Sequence, residues 1–360
     1  MRLKAIIAIV ILVASLLLGC VPAITDPTGG TTPTEQGIFN ETTAPSESTV
    51  AADESTQPSD EDLPLGDLLI GPAGDRRVDD IGSYRIYPGG EMVLPILIQA
   101  TGMVAKYGVG VLLFIDGQPQ PYKTDDEPEY TYIHIFYPED GKECIYNSRF
   151  VPVTGEQGDD LEIYVAAIIY PTYSLSNGNA VMVYTSGTTA GGTRLKYEAT
   201  PPEDIYPEKQ MWLSDMTVSF EDTTIADFTG WSEDDMREKI DFEFCVNEIN
   251  GRSARCIYNV SENNPLALRF ELWGNHYVDF GLTFFVDNIP VFNANFDPLI
   301  LETQEGKKAI VETMLNLEQF DKESVIYAIL APRNYRSSEV RTIGWLQYSP
   351  TIFLLEKSTQ

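Results

Sequence analysis

Few side chains in this 360-residue chain have the types and spacing that acid–base chemistry or metal binding requires. Its two histidines, His134 and His276, are the candidates for an imidazole base or ligand. His134 lies in an alternating, strand-like run, where packing explains it without catalysis. Motifs typical of serine hydrolases, zinc proteases, redox dithiols and phosphate loops are absent from the sequence. The sequence therefore predicts no catalytic residue, no metal site and no cofactor.

Two aspartates stand at matching places in a stretch that occurs twice, at residues 110–119 and 281–290. Both copies follow the pattern G-x-x-x-F-[IV]-D-x-x-P and begin 171 positions apart. Each is a short apolar run ending in turn residues, which predicts a buried strand that enters a hairpin. The turn residues and the prolines after them are Asp116, Gly117, Pro119, Asp287, Asn288 and Pro290. Asp-Gly and Asp-Asn suit the positive φ angles of a two-residue turn, so we interpret these residues as structural.

Weaker similarity extends the repeat on both sides of this stretch. The matching anchors occur in the same order and pair residues 86–87 with 257–258, and residues 161–173 with 324–335. Such self-similarity indicates a duplicated unit. We therefore predict two copies of one domain, at residues 67–200 and 201–360.

Each copy carries about seven short strand-like runs separated by Gly, Pro, Asn and Asp, which is a pattern typical of β-sandwiches. The predicted fold class is all-β, with two tandem immunoglobulin-like antiparallel β-sandwiches. Tandem sandwiches favour an extended presentation, with the loops at each end as contact surfaces. The best helix candidate is residues 232–240, where Ser232 and Asp235 have capping-box spacing.

Cys245 and Cys256 flank Asn250-Gly251, a dipeptide typical of two-residue hairpin turns. A turn at that dipeptide places the two cysteines directly opposite each other, with Cα atoms about 5.5 Å apart. Export makes oxidation feasible. We therefore predict a disulfide between Cys245 and Cys256, with two buried reduced thiols as the alternative.

The N-terminus has the composition of an export signal. Arg2 and Lys4 precede an apolar run at residues 5–18, which is shorter than the roughly 20 residues of an ordinary spanning helix. The run ends in the sequence LLGC at residues 17–20. This arrangement resembles the lipobox of bacterial lipoproteins.

The resemblance implies a lipoprotein signal peptide at residues 1–19 and a lipid attached to Cys20. The chain is similar in this respect to uncharacterised Gram-positive surface lipoproteins with tandem immunoglobulin-like domains. That class implies an exported protein, anchored to the cell membrane and facing outward, but it implies no ligand. Residues 20–66 are rich in Thr, Ser, Pro and acidic side chains, which predicts a disordered acidic linker.

The formal net charge of −30 makes nucleic acid a poor partner, because the phosphate backbone is repelled. Attachment to the membrane must therefore come from the lipid at Cys20. We predict a non-catalytic binding, adhesion or scaffolding role toward an unknown protein or glycan. Two alternatives stay open: a carbohydrate-binding module, suggested by 19 Tyr and 4 Trp, and a surface hydrolase that uses carboxylates.

Overall fold

Alternating apolar and polar residues form strands throughout the part of the chain that the computed structural model describes. The described residues are 66–80, 82–172, 190–202, 206, 208–224, 231–247, 249–250, 256–258, 265–274, 278–294, 299–316, 323–333, 346–349 and 352–355. The predicted signal peptide, Cys20 and all but the last residue of the predicted linker lie outside this set.

The first sandwich comprises, among the described residues, strands β1 to β11 and helix α1. Their bounds are β1 Leu68–Pro72, β2 Arg77–Asp79, β3 Gly82–Tyr87, β4 Met92–Ala100, α1 Gly102–Tyr107, β5 Val109–Ile115, β6 Gln118–Gln120, β7 Lys123–Thr124, β8 Ile133–Phe136, β9 Glu143–Phe150, β10 Asp160–Ile169 and β11 Ala190–Tyr197. One sheet has the order β1-β4-β9-β7, and the other has the order β2-β3-β11-β10-β5-β6, with β8 also paired to β5. Alternate side chains of β4 are buried between the two sheets, as expected of a strand that covers a core on one face.

The second sandwich comprises, among the described residues, strands β12 to β23 and helix α2. Their bounds are β12 Gln210–Asp222, α2 Glu233–Glu238, β13 Ile240–Val246, β14 Ile249–Asn250, β15 Cys256–Tyr258, β16 Leu266–Gly274, β17 Asp279–Val286, β18 Ile289–Asn293, β19 Leu299–Leu301, β20 Lys307–Leu315, β21 Glu323–Arg333, β22 Gln347–Tyr348 and β23 Ile352–Leu355. Its own core lies between β13, β16 and β20 on one side and β17 and β21 on the other.

The two sandwiches share one strand order. Strands β1-β4-β9 correspond to β13-β16-β20, and β3-β11-β10-β5 correspond to β15-β23-β21-β17. In both, the central strand carries two further partners, β6 and β8 on β5 and β18 and β19 on β17. Both also contain one parallel pair in the equivalent place, β3 with β11 and β15 with β23. Two facing sheets connected in this way are immunoglobulin-like, and the predicted fold class is confirmed.

Strand β12 makes the second sandwich different from the first. It runs antiparallel to β20 over most of its length and parallel to β18 at its start. Its register shifts between Ser214 and Thr217, where Asp215 has a φ of 52°. Such an irregularity bends a strand, which lets β12 leave one sheet and enter the other. The sheets of the second sandwich are therefore continuous, whereas those of the first are separate.

A third apolar cluster joins the two sandwiches. Residues on the outer faces of β5 and β10 pack against residues on the outer faces of β17 and β21; the cluster contains Leu112, Phe114, Tyr164, Ala166, Ile168, Phe285, Tyr327, Ile329, Ala331 and Leu346. The rings of Phe114 and Phe285 meet edge to face, with centroids 6.3 Å apart. The expected extended arrangement is therefore wrong for the described residues, because these strands are buried on both faces.

The hairpin that holds Cys245 has a different register from the predicted one. Cys245 lies opposite Asn250, and the chain reverses directly after Val246, where Asn247 takes a φ of 48°. Cys256 instead lies in β15, opposite Phe353 of β23. Cys245 is a free thiol, so the predicted disulfide is not formed. The turn at Asn247 prevails over the one at Asn250, because the chain through Cys256 supplies the parallel edge strand that the fold requires.

Helix α2 begins where the capping box predicts. The Ser232 hydroxyl accepts a hydrogen bond from the Asp235 amide at 3.1 Å, and the Asp235 carboxylate accepts one from the Ser232 amide at 2.7 Å. This reciprocal pair satisfies amides that a helix start leaves without partners. Neither α2 nor any other helix in the described part of the chain is long and apolar enough to cross a membrane.

Candidate functional site: a groove at the junction of the two sandwiches

The turn residues of the duplicated stretch form two-residue hairpins. Ile115 pairs with Gln118 in one copy, and Val286 pairs with Ile289 in the other. The φ angles in the turns are 47° and 82° at Asp116 and Gly117, and 50° and 66° at Asp287 and Asn288. Asp, Asn and Gly tolerate this left-handed region better than other residues do.

Each turn also contacts the opposite sandwich. Arg333, at the end of β21, donates from Nη2 to the Asp116 carboxylate at 2.7 Å and from Nε to the Asp116 carbonyl at 2.9 Å. In the reciprocal contact, the Asn288 amide donates to the carbonyl of Pro171, just after β10, at 2.9 Å. Each contact joins the turn of one copy to the end of a strand, or the residue just after it, in the other copy, so the repeated turns fasten the copies to each other.

The glycine that begins the second copy of the repeated stretch also lies at the junction. A Cβ atom on Gly281 would overlap the carbonyl oxygen of Gly117 in the other sandwich. Both phenylalanines of the repeated pattern, Phe114 and Phe285, lie in the junction, but of its glycines and aspartates only Gly281 and Asp116 contact the other copy. Gly110 packs within the first sandwich, and the Asp287 carboxylate accepts hydrogen bonds from Ser324 and Val325 of its own sandwich. Sequence reasoning identified the turns but missed the contact between the copies. The sequence does carry a sign of this contact, because residues 109–115 are uniformly apolar. A strand with one face exposed to solvent would alternate apolar and polar residues instead.

Beside this junction lies a groove of about 710 Å³, here called the junction groove. The first sandwich supplies Gln118 and Tyr132, the second supplies Met211 and Phe292, and the connecting segment supplies Tyr206 and Lys209. Two carboxylates, Glu156 and Glu208, also line it. These residues come from non-equivalent places in the two copies, so the groove is not a product of the repeat symmetry. Its volume lies within the range of small-molecule sites.

Aromatic rings form the wall of the junction groove. Tyr132 packs against Phe292 with ring centroids 6.1 Å apart, and the Lys209 ammonium lies 5.3 Å from the Phe292 ring centroid. Tyr206 packs edge to face on Tyr130 at 5.9 Å. Burial raises the pKa of Tyr206, so its phenol is neutral. The Tyr206 hydroxyl is buried, and the nearby Gln120 side chain partly offsets the effect of burial on its pKa.

His134 is a packed residue, as predicted. It lies in β8 with only 2% of its surface exposed. Its Nε2 lies 2.7 Å from the Tyr122 carbonyl oxygen, and its Nδ1 lies 2.5 Å from a carboxylate oxygen of Glu127. These contacts hold the segment that leads to Tyr132 against the sandwich. His276 lies outside the described residues.

The other candidate residues are distributed as follows. Among the described residues, no group of three or more His, Cys, Asp or Glu side chains is arranged to hold a metal ion. Trp212, Trp231 and Trp273 are half-buried, whereas Trp345 lies outside the described residues. The aromatic rings of the junction groove are therefore tyrosine and phenylalanine.

Comparison with known proteins gives no family assignment. No protein-family model matches the chain, and no curated protein matches it either. Solved structures to which it is similar include the N-terminal Ig1-2 module of the Drosophila receptor protein tyrosine phosphatase DLAR, at 10% identity and a TM-score of 0.18, over 81% of this chain and 98% of that one. Another is a Corynebacterium diphtheriae protein provisionally described as membrane anchored, at 9% identity and a TM-score of 0.18, over 81% of this chain. The match spans 59% of that second protein's chain.

Proposed function

We propose that this chain is an exported, lipid-anchored surface protein that binds a ligand in the junction groove without transforming it. The observation that carries the proposal is the groove itself, which gathers Tyr132, Tyr206, Phe292 and Lys209 from two sandwiches and their connector. Ligand sites in proteins are commonly concave, apolar surfaces with a few polar groups, placed where domains meet. The packed sandwiches supply a rigid frame for such a site.

The anchor in this proposal is the lipid at Cys20. It is supported by the basic start of the chain, the apolar run at residues 5–18 and the small residue before the cysteine. Two or more acyl chains hold a protein stably at a membrane, at about 0.8 kcal/mol per buried CH₂. That attraction offsets the repulsion between a chain of net charge −30 and anionic headgroups.

The anchor is tested by replacing its thiol. We expect Cys20→Ser to release the chain from the membrane fraction and to abolish the acyl mass on its N-terminal peptide. Cys144→Ser is the matched control, because it replaces a free thiol in the folded strand β9, far in sequence from the proposed anchor. Unmodified Cys20 in exported wild-type chain would reject the anchor.

A carbohydrate is the second candidate ligand, favoured by the rings that line the junction groove. Tyrosine and phenylalanine faces stack on sugars, while Gln118, Glu156 and Glu208 offer partners for hydroxyl groups. The test is retention on an array of neutral and acidic oligosaccharides, followed by analysis of the same oligosaccharides for cleavage. Retention without cleavage supports a carbohydrate-binding role, and cleavage products would instead support the surface hydrolase.

The groove is tested by Tyr132→Ala and Lys209→Ala, which remove one wall ring and the cation over Phe292. We expect each variant to weaken ligand retention on the order of tenfold, the loss of roughly 1–2 kcal/mol typical of one ring or cation–π contact. Tyr137→Ala is the control, since Tyr137 is 61% exposed and lies outside the groove. Equal losses in the control would contradict the assignment.

A further inference from the structure

A second concave surface, here called the arginine groove, lies on the first sandwich where β2 and β3 approach β4. Its volume is about 410 Å³, and Arg76, Arg77 and Arg85 line it. The whole chain has 54 acidic residues against 24 basic ones. A cluster of three arginines is therefore a local reversal of the charge that prevails over the rest of the protein.

Among the described residues, these arginines form no ion pair with a carboxylate, unlike other described arginines. The Arg85 guanidinium is half-buried and donates only to backbone, from Nη1 to the Asp75 carbonyl at 2.9 Å and from Nη2 to the Ala73 carbonyl. Within the described part of the chain, neither Arg76 nor Arg77 forms an ion pair, and both are exposed. Four other arginines each bind a carboxylate: Arg149, Arg194, Arg269 and Arg333.

The charge on Arg85 is incompletely satisfied by its surroundings. Its Nε is buried and has no hydrogen-bond partner in the part of the chain that the structure describes. Burial, together with the neighbouring Arg76, lowers the pKa of Arg85. Both observations describe a cation that an added anion would stabilise.

The two carboxylates at the groove do not neutralise it. Asp75 contacts Arg85 through its backbone carbonyl, and its carboxylate raises the pKa of Arg85 by less than burial and Arg76 lower it. Glu91 is bound by the Lys123 ammonium at 2.6 Å and by the Tyr130 hydroxyl at 3.0 Å. The hydrogen bond from Lys123 lowers the pKa of Glu91, because it stabilises the ionised carboxylate. Glu91 is therefore already paired with Lys123. The positive charge of Arg76, Arg77 and Arg85 is therefore able to attract an anionic ligand.

The walls indicate what surrounds the anionic group. Arg77 lies directly opposite Tyr84 in the β2–β3 pair, so the two side chains share one face of the sheet. Ile86 and Met92 add apolar surface. Guanidinium groups bind carboxylates and phosphates through paired, charge-assisted hydrogen bonds. The groove therefore fits an oxyanion carried on a small, partly apolar body.

We propose that the arginine groove binds a small anionic ligand whose phosphate or carboxylate group is held by the exposed Arg76 and Arg77 at the edge of the groove, with the fixed charge of Arg85 in the same groove adding attraction. The net charge of −30 on the chain repels long polyanions, so a small molecule is favoured over an anionic polymer. This site is distinct from the junction groove. Tyr130 stands between them, with its hydroxyl on Glu91 and its ring on Tyr206.

The experiment is calorimetric titration of the whole chain at low salt with three probes: inorganic phosphate, glycerol phosphate and succinate. The test variant is R76A/R77A, in which both exposed guanidinium groups are lost. The control is K106A/K142A, which changes the net charge by the same amount at two exposed lysines outside the groove. We expect wild type to bind at least one probe, R76A/R77A to lose affinity by tenfold or more, and the control to stay within about twofold.

The probes also separate the two oxyanions. Binding of phosphate and glycerol phosphate but not succinate assigns a phosphate site, and the reverse assigns a carboxylate site. Failure of wild type to bind any probe, or equal weakening in R76A/R77A and in K106A/K142A, would overturn the proposal. Circular dichroism of both variants shows whether the fold is kept.

Discussion

The two sandwiches share a strand order but differ in how their edges are completed. In the first, the sheets are separate and the short strand β7 closes the edge beside β9. In the second, the long strand β12 occupies that edge and continues into the opposite sheet. The stretch that stayed similar, residues 110–119 and 281–290, is the one that each copy presents to the other. The sequence repeat is therefore clearest in a stretch that faces the other copy, and the main structural difference is at the edge strand β12.

The junction is itself not fully symmetric. On one side a guanidinium binds a carboxylate, Arg333 to Asp116, and on the other a neutral amide binds a carbonyl, Asn288 to Pro171. The apolar cluster between the sandwiches is shared equally by both copies. The following variants separate these contributions, beginning with the largest.

The largest effect is expected from F114A/F285A, which removes both rings at the centre of the junction. Both side chains are fully buried, and truncating a buried phenylalanine costs about 3–5 kcal/mol. We expect unfolding in urea to change from one transition to two, because the sandwiches lose their main contact. A single transition with an unchanged midpoint would show that the cluster does not couple the sandwiches.

A smaller effect is expected at the charged side of the junction. Arg333→Met leaves the Asp116 carboxylate without its cation in a largely buried place, at a cost of about 1.5–3 kcal/mol. Asn288→Gly keeps the positive φ of the turn but removes two neutral hydrogen bonds, one donated to the Pro171 carbonyl and one accepted from the Tyr327 hydroxyl at 3.1 Å, and should cost about 0.5–1.5 kcal/mol for each. The comparison is made from urea midpoints of the two variants. Equal losses would show that the asymmetry of the junction has no energetic consequence.

The stability of the second sandwich is expected to depend only weakly on the cap of helix α2. Ser232→Ala should cost about 1 kcal/mol. The pKa of Asp235 is lowered to about 2 by hydrogen bonds from Lys239 and Ser232. Because the folded pKa is below the unfolded value, the contribution of Asp235 is present above that unfolded value and is lost as pH falls through about 2. Hydrogen exchange of the α2 amides at several acidic pH values measures both effects.

No effect is expected from reductant. A disulfide between Cys245 and Cys256 would stabilise the chain by roughly 2–3 kcal/mol, but the two residues lie in different strand pairs and Cys245 is a free thiol. The urea midpoint should therefore be the same with and without dithiothreitol. A lower urea midpoint in the presence of dithiothreitol would instead support the disulfide between Cys245 and Cys256.

Local patterns in the sequence predict the local structure well. The turns at Asp116 and Asp287, the cap at Ser232 and the all-β class each depend on neighbouring residues alone. The strand register at Cys245 does not depend on neighbouring residues alone. Both Asn247 and Asn250 could form the turn, and the turn forms at Asn247 because the chain through Cys256 pairs with β23 as strand β15. The junction is also beyond local reasoning: the run at residues 109–115 indicates a strand covered on both faces, but it cannot say what covers the second face.

The junction groove and the arginine groove were unpredictable for the same reason. Tyr132 and Phe292 are far apart in sequence, and only the packing of the two sandwiches brings their rings within 6.1 Å. Arg76 and Arg77 are adjacent in sequence, yet Arg85 joins them only through the β2–β3 hairpin. Sequence patterns predict which face of a strand is buried. The two grooves depend instead on which strands pack against each other.

The most direct test uses the distribution of tryptophan. All four tryptophans, Trp212, Trp231, Trp273 and Trp345, follow residue 201, so tryptophan fluorescence reports on the second copy alone. Phe150→Ala opens the core of the first sandwich, where Phe150 is fully buried and outside the junction cluster. If the sandwiches form one cooperative body, the fluorescence midpoint in urea falls together with the midpoint from circular dichroism. A fluorescence midpoint equal to that of wild type would contradict the account.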